Sequence, residues 1–254
     1  MLDFIVFGIF SWTALGILII GVLYRLINWI FPKNYTGLVS IAVVSYHWSL
    51  ASRIREVLKR ILLFYTLKYS DKMLFWGAFL FHWGIFLTLF IGHTALFFTP
   101  EQLTSWGISP EFRKMIALYV GSLFGIVTIV GLIILWIRRI WKKEVRAISY
   151  LDDWVTLALI TIIVGLGMYN TVIVRPNYAE TITPWLLNLL SGNLNTAISY
   201  IAKAELELKL HIFFAQLLMV YVPVSKMIHP FSIFFQPTIT MPPYKVKGSE
   251  EGSV

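Results

Sequence analysis

Five stretches of this chain, at about 4–31, 74–98, 116–138, 153–174 and 208–233, are apolar over the roughly 20 residues a helix needs to cross a bilayer. Lipid offers an open backbone no hydrogen-bond partner, so such a chain has few folds available to it. The reading is an all-α integral membrane protein, a five-helix transmembrane bundle over 1–236 followed by a tail, 237–254. The composition, 58% hydrophobic and 13% charged, agrees. A removable signal peptide is not expected, because the first run is too long, lacks a basic leader and ends in Tyr24-Arg25.

Topology follows from the basic residues. Sixteen of the 21 Lys and Arg fall on the side that holds segments 32–73, 139–152 and the tail. The other side has Arg113, Lys114, Arg175, Lys203 and Lys209. The positive-inside rule then places the N-terminus outside and the C-terminus in the cytoplasm of a cell-membrane protein. The net charge of +8 is accounted for by topology and lipid headgroups, and no nucleic-acid partner is called for. There is no cysteine, which excludes disulfides, iron–sulfur ligation by this chain and covalent c-type haem.

Two embellishments flank the spans. In 46–68, Leu50, Ile54, Val57, Leu58, Ile61, Leu62 and Tyr65 follow helical spacing, with Arg53, Arg55, Lys59 and Arg60 largely opposite. This is an amphipathic cytoplasmic helix, lying on lipid or docking a partner, and His47 beside it reads as a surface or contact residue. On the outer side, 176–207 is too polar and too broken at Ser191-Gly192 to span, and short interfacial helices are expected there. The tail is rich in Pro, Lys, Gly and Ser and reads as a strap or as disorder.

Four of the five histidines lie in the second and fifth spans, His82 and His93 in one and His211 and His229 in the other. Intervals of 11 and 18 residues, at about 100° each, return each pair to nearly one face of an α-helix. Pair members then lie roughly 16 Å and 27 Å apart along their axes, too far to share one ion. Ionisable groups in lipid are costly and usually functional. Two haems b, each clamped by one imidazole from each helix, fit this pattern. Because the two helices run antiparallel, His82 should pair with His229 at an inner haem and His93 with His211 at an outer haem, so that all four histidines are axial iron ligands. Pro223 can kink the fifth helix between its histidines. Gly84 and Gly92 leave room for a porphyrin face, while Gly121 and Gly125 suit close approach of a helix or a ring. A proton channel or transporter would need acidic relays or broken paired helices that the spans lack. A zinc enzyme would need ligands gathered at one depth. A membrane anchor without haem would leave the histidine pairs as coincidence.

With FHWGIFLTLFIGH, EFRKMIALYVG, RRIWKKEVRA followed by Asp152-Asp153, and LKLHIFFAQLLMVYVPVSKMIH in view, the chain resembles the respiratory nitrate reductase gamma subunits. It resembles equally the related membrane cytochrome b of sulfite-reduction-associated complexes. The resemblance covers about 72–236. It implies a dihaem quinol dehydrogenase that oxidises a menaquinol-type quinol near the outer haem and passes electrons inward to an iron–sulfur subunit. By the same resemblance, Arg113 matches the basic residue at the start of helix three that assists the quinol, with Lys114 beside it, and Gly92 and His93 complete that site. The long basic segment before helix two favours the sulfite-associated branch, whose cytoplasmic partner resembles a heterodisulfide reductase catalytic subunit. The alternative is a nitrate reductase gamma subunit with its beta partner, and either complex can include further membrane subunits.

Overall fold

The computed structural model describes residues 1–31, 50–93 and 98–232. His47, the first residues of the amphipathic segment and the tail from 237 lie outside them. Among the described residues every regular element is helical. In chain order these are α1 (Leu2–Ile30), α2 (Leu50–Leu63), α3 (Tyr65–Ser70), α4 (Lys72–Gly92), α5 (Pro100–Ser105), α6 (Pro110–Trp141) and α7 (Lys143–Ala147). They are followed by α8 (Leu151–Val174), α9 (Ile182–Leu190), α10 (Leu194–Ile201), α11 (Leu206–Val224) and α12 (His229–Ser232). Five of them, α1, α4, α6, α8 and α11, are long and apolar enough to cross a membrane.

Two spans stop short of their apolar runs. Lys72–Gly92 ends where His93 leaves helical geometry at φ −105°, instead of continuing to 98. Leu206–Val224 ends at a short 3₁₀ turn containing Pro223, and Ser225 beyond it is extended at ψ 177°. Proline lacks the N–H that would continue the helix, so the remaining apolar residues up to 233 are not part of it.

One end of the bundle is basic, with Arg25, Lys72, Arg138, Arg139, Lys142 and Lys226 at the span ends. Asp71 organises much of it. Its Oδ1 caps α4 by accepting the N–H groups of Met73 (2.9 Å) and Leu74 (3.1 Å). Its Oδ2 accepts Arg138 Nε at 3.0 Å and Lys142 Nζ at 2.9 Å from the end of α6. Burial pushes this carboxyl up, but the bonds from Lys142, the Leu74 N–H and Arg138 outweigh it and hold the group well below the usual carboxylate range.

Between their ends α4 and α6 meet along a seam of glycines. A Cβ at Gly84 would lie 2.5 Å from Thr128 Oγ1 and 2.6 Å from the Thr128 backbone nitrogen, and one at Gly77 2.9 Å from Leu135. Gly131 closes on the backbone of Phe81, and Gly92 on the Cα of Gly121 at 3.9 Å. This is close backbone packing, the main source of helix association where lipid removes the hydrophobic drive. Gly84 is therefore occupied by α6 and gives no room to a ring, contrary to the expectation for it. Gly125 is filled by Met168 from α8.

The opposite end is capped by α9 and α10, which fold over the start of α1. Phe7, Ile182, Trp185, Leu189, Ala197 and Ile201 form a small buried core there. Residues 5–9 of α1 make a π turn, and the Phe7 carbonyl accepts Trp185 Nε1 at 3.1 Å. Lys209 pairs with Asp3 at 3.0 Å. At its other end α1 seats Gly21 against the Pro223 break, where a Cβ would come within 2.5 Å of the proline ring.

The amphipathic α2 leaves Ile54, Leu58 and Leu62 exposed along one stripe. It ends at Phe64, which takes the left-handed conformation at φ 49°. Trp83 Nε1 donates to the Leu62 carbonyl at 2.9 Å and ties that elbow to α4.

Replacing Asp71 by Asn should lower thermal stability in detergent, with loss of the cap alone worth about 1 kcal/mol. Because the native carboxyl is depressed, its contribution is full above the unfolded pKa and fades as the pH falls. The Tm gap between wild type and Asp71→Asn, measured from pH 7 to pH 3, should narrow below about pH 4.

Candidate functional site

Helix α4 packs on α6, and α11 packs on α8 and α1. The imidazoles reach across from one helix system to the other. His82 faces His229 with ring centroids 5.9 Å apart and planes at 78°. His93 faces His211 at 6.3 Å and 24°. The first pair lies toward the basic end and the second toward the capped end.

The rings do not sit on two uniform helical wheels. Residues Thr88–Gly92 form a π turn, so the 11-residue interval from His82 to His93 is not α-helical throughout. His229 stands beyond α11 at the head of α12, delivered by the 3₁₀ turn Lys226–Ile228. A π turn changes the angular step, and the Pro223 break changes the axis, so wheel arithmetic alone does not give these positions.

Every one of the four rings has its Nδ1 on a backbone carbonyl: Ala78 for His82 (2.8 Å), Thr88 for His93 (3.1 Å), Ile163 for His211 (3.0 Å) and Lys226 for His229 (3.1 Å). A carbonyl only accepts, so Nδ1 carries the hydrogen and Nε2 keeps its lone pair. This is the orientation device usual for metal-ligating imidazoles. A metal–imidazole bond is about 2.0 Å, and adding roughly 1 Å from each nitrogen to its ring centre gives about 6 Å between centroids across one metal ion. Both pairs match that span. The donor set therefore fits two irons with two axial imidazoles each, the haem ligation that leaves an electron carrier.

Neighbouring residues hold the rings. Phe64 packs on His82 with centroids 5.1 Å apart, and Phe81 meets the same ring edge-on at 4.9 Å. Gly167 on α8 lies against His211, where a Cβ would come 3.1 Å from Cε1. At the capped end, Asn170 is buried at 1% exposure and donates Nδ2 to the Glu207 carbonyl, one turn before His211. Tyr178, outside the spans, is held neutral by burial, which pushes its hydroxyl up to about 12.

Of the residues read as a quinol site, Gly92 sits in the turn that precedes His93 and touches α6 at Gly121. Arg113, in the first turn of α6, has its Nη1 enclosed with no hydrogen-bond partner among the described residues. Lys114 is exposed. Residues 94–97, which connect His93 toward α5, lie outside the described residues.

Sequence reasoning missed Phe64 and Gly167. The first carries no signal, because a left-handed phenylalanine looks like any other, and the second is one glycine among several in an apolar run.

The profile of the nitrate reductase gamma subunit family matches residues 66–246, the stretch that contains all four ring-bearing positions. The chain belongs to the nitrate reductase gamma subunit family. Among relatives, the chain is 26% identical to the Hdr-like menaquinol oxidoreductase cytochrome b-like subunit of Archaeoglobus fulgidus, across 94% of this chain and 80% of that one. It is 29% identical to the nitrate reductase gamma chain of Bacillus subtilis across 65% of this chain and 74% of that one. A shorter match, 33% identical over 32% of this chain and 35% of the relative, is to one of the subunits of the dihydromethanophenazine:CoB–CoM heterodisulfide reductase from Methanosarcina mazei. Helix α1 and most of α2 precede the stretch matched by the gamma-subunit profile, whereas the Archaeoglobus match covers nearly the whole chain.

Gly167→Val should press two methyls into the His211 ring and weaken one of two haem-binding events by about tenfold or more, the scale of overpacking. Gly165→Val, at a site with no neighbour within 4 Å of its Cβ position, should leave both unchanged. A spectrophotometric haem titration of the purified variants checks this.

Proposed function

We propose that this chain is the dihaem cytochrome b subunit of a quinol-oxidising complex in the cell membrane, with residues 1–236 as its membrane domain. The observation that carries the reading is the two facing imidazole pairs, each with Nδ1 committed to a carbonyl and Nε2 free at a span that suits one iron. In this reading His82 and His229 hold an inner haem b, and His93 and His211 an outer one. The basic end faces the cytoplasm by the positive-inside rule, so the capped end is outer.

When bound, the two haems supply one-electron transfer across the membrane. Quinol, of menaquinol type as in the name of the Archaeoglobus relative, docks near His93 with Arg113, Lys114 and Gly92 around it. Its oxidation to quinone releases two electrons and two protons. The electrons pass inward, and the protons leave on the outer side. Separation of charge in this sense stores about 2.3 kcal/mol per charge per 100 mV. The enclosed, unpartnered Arg113 Nη1 supports a polar ligand at the start of α6. A guanidinium there donates hydrogen bonds and keeps its own proton.

At the cytoplasmic face the acceptor is an iron–sulfur subunit. We assign it to the heterodisulfide-reductase-like class that serves sulfite-reduction-associated complexes, because the match to the Hdr-like relative extends through α1 and the basic α2 while the Bacillus gamma chain matches 65% of the chain. The family profile itself favours the second reading, a nitrate reductase gamma subunit with a beta-type partner.

A dithionite-reduced minus oxidised spectrum with a pyridine haemochrome count should give two b haems per chain. His93→Leu should lose one haem and the oxidation of a menaquinol analogue while keeping the other haem, and retention of both would overturn the assignment. The unequal ring angles predict unequal electron paramagnetic resonance signals. The near-perpendicular pair should give the more anisotropic low-spin signal, and it should vanish in His82→Leu.

A further inference from the structure

The ring of His229 is mounted on a weak segment. Pro223 ends α11, Ser225 is extended, and only a three-residue 3₁₀ turn precedes the histidine. A ligand held to within a fraction of an ångström needs support from outside such a turn. That support comes from the first turn of α8.

Asp152 reaches the turn at two points. Its Oδ2 accepts the Lys226 N–H at 3.3 Å, and its Oδ1 accepts the hydroxyl of Tyr221, two residues before Pro223. The Lys226 carbonyl in turn accepts Nδ1–H of His229 at 3.1 Å. Asp152 is thus two hydrogen bonds away from the imidazole, with the Lys226 residue between them. Asp153 acts differently. It binds the Lys226 side chain at 2.8 Å, the Tyr150 N–H at 2.9 Å and Arg139 at 3.6 Å, and it makes no contact with the Lys226 backbone.

We propose that Asp152 is the positioning residue of the inner haem ligand, setting the orientation and electron donation of His229 through Lys226. The proposal rests on the reading of His229 as an iron ligand. Two physical effects follow from the chain of bonds. Mechanically, the carboxylate pins the turn and with it the ring plane. Electronically, bonds in series polarise one another, so a negative charge at the far end makes the Lys226 carbonyl a better acceptor and the imidazole a stronger donor to iron. A stronger donor, like a nearby negative charge, lowers the reduction potential of the haem it holds.

The site tolerates substitution, because Asp152, Tyr221, Lys226 and Arg25 line an open cavity of about 660 Å³ at the basic end. The test uses the purified haem-loaded chain, with redox titration and electron paramagnetic resonance of both haems. Asp152→Ala removes bond and charge. It should raise the inner potential and change the largest g value of the inner haem, leaving the outer haem as it was. Asp152→Asn keeps an acceptor and loses the charge, and it should raise the inner potential with that g value nearly unchanged. Asp153→Ala should leave the inner g value at that of the wild type. An inner signal unmoved by Asp152→Ala, or equal changes at both haems, would overturn the proposal. Absence of haem from the folded wild type would instead overturn the functional reading beneath it. Should Asp152→Ala fail to assemble with two haems, Asp152→Asn still decides: an unshifted inner potential overturns the proposal.

Discussion

A histidine ring inside a membrane must find a partner for its N–H, and there only other protein groups can supply one. In this chain all four imidazoles solve that problem with a backbone carbonyl, and each obtains the carbonyl differently. His82 takes one from the preceding α-helical turn, at Ala78. His93 takes Thr88, five residues back, across a π turn. His211 takes Ile163 from a neighbouring helix. His229 takes Lys226 within a 3₁₀ turn. The local irregularities of the bundle, a π turn in one span and a proline break in another, are thus the means by which Nε2 of each ring is left free to face its counterpart.

Where α4 cannot move also matters. Its glycines are committed to α6, and the closeness of that seam leaves no thickness for a flat cofactor on that side. The rings of His82 and His93 point elsewhere, toward α11 and the turn after it. Small residues define the closed side of the helix, and histidines define the open one. Helix α1 stands outside this arrangement, against α11, clamped by the Trp185–Phe7 bond at one end and the Gly21–Pro223 contact at the other.

The spans are legible because long apolar runs have no other use, and the histidines because ionisable groups in such runs are rare. Pro223 signals a break, but its result, a histidine mounted off the helix, depends on Asp152 and Tyr221 closing over the turn. Those contacts join residues about 70 apart, and no local pattern encodes them. Gly84 misleads because a glycine tells of close approach and not of what approaches. Here the visitor is Thr128. The left-handed Phe64 is invisible for a related reason, since the contacts that hold it, with His82 and through the Leu62 carbonyl, are tertiary. The quinol-site residues rest on a likeness to known sequences, and Arg113 gains from the structure an enclosed nitrogen without a partner among the described residues.

The π turn at Thr88–Gly92 holds one residue more than an α-helical turn would need, and that surplus residue sits immediately before His93. Substitutions there alter a side chain. Loss of a single residue would do something else: the turn would revert to ordinary α geometry, and everything after it would swing by about 100°. His93 would leave His211 without any change in the chemistry of either. In the descent of such a chain this stretch is therefore constrained in length more tightly than in letters, and gaps placed in it when related sequences are aligned carry structural meaning.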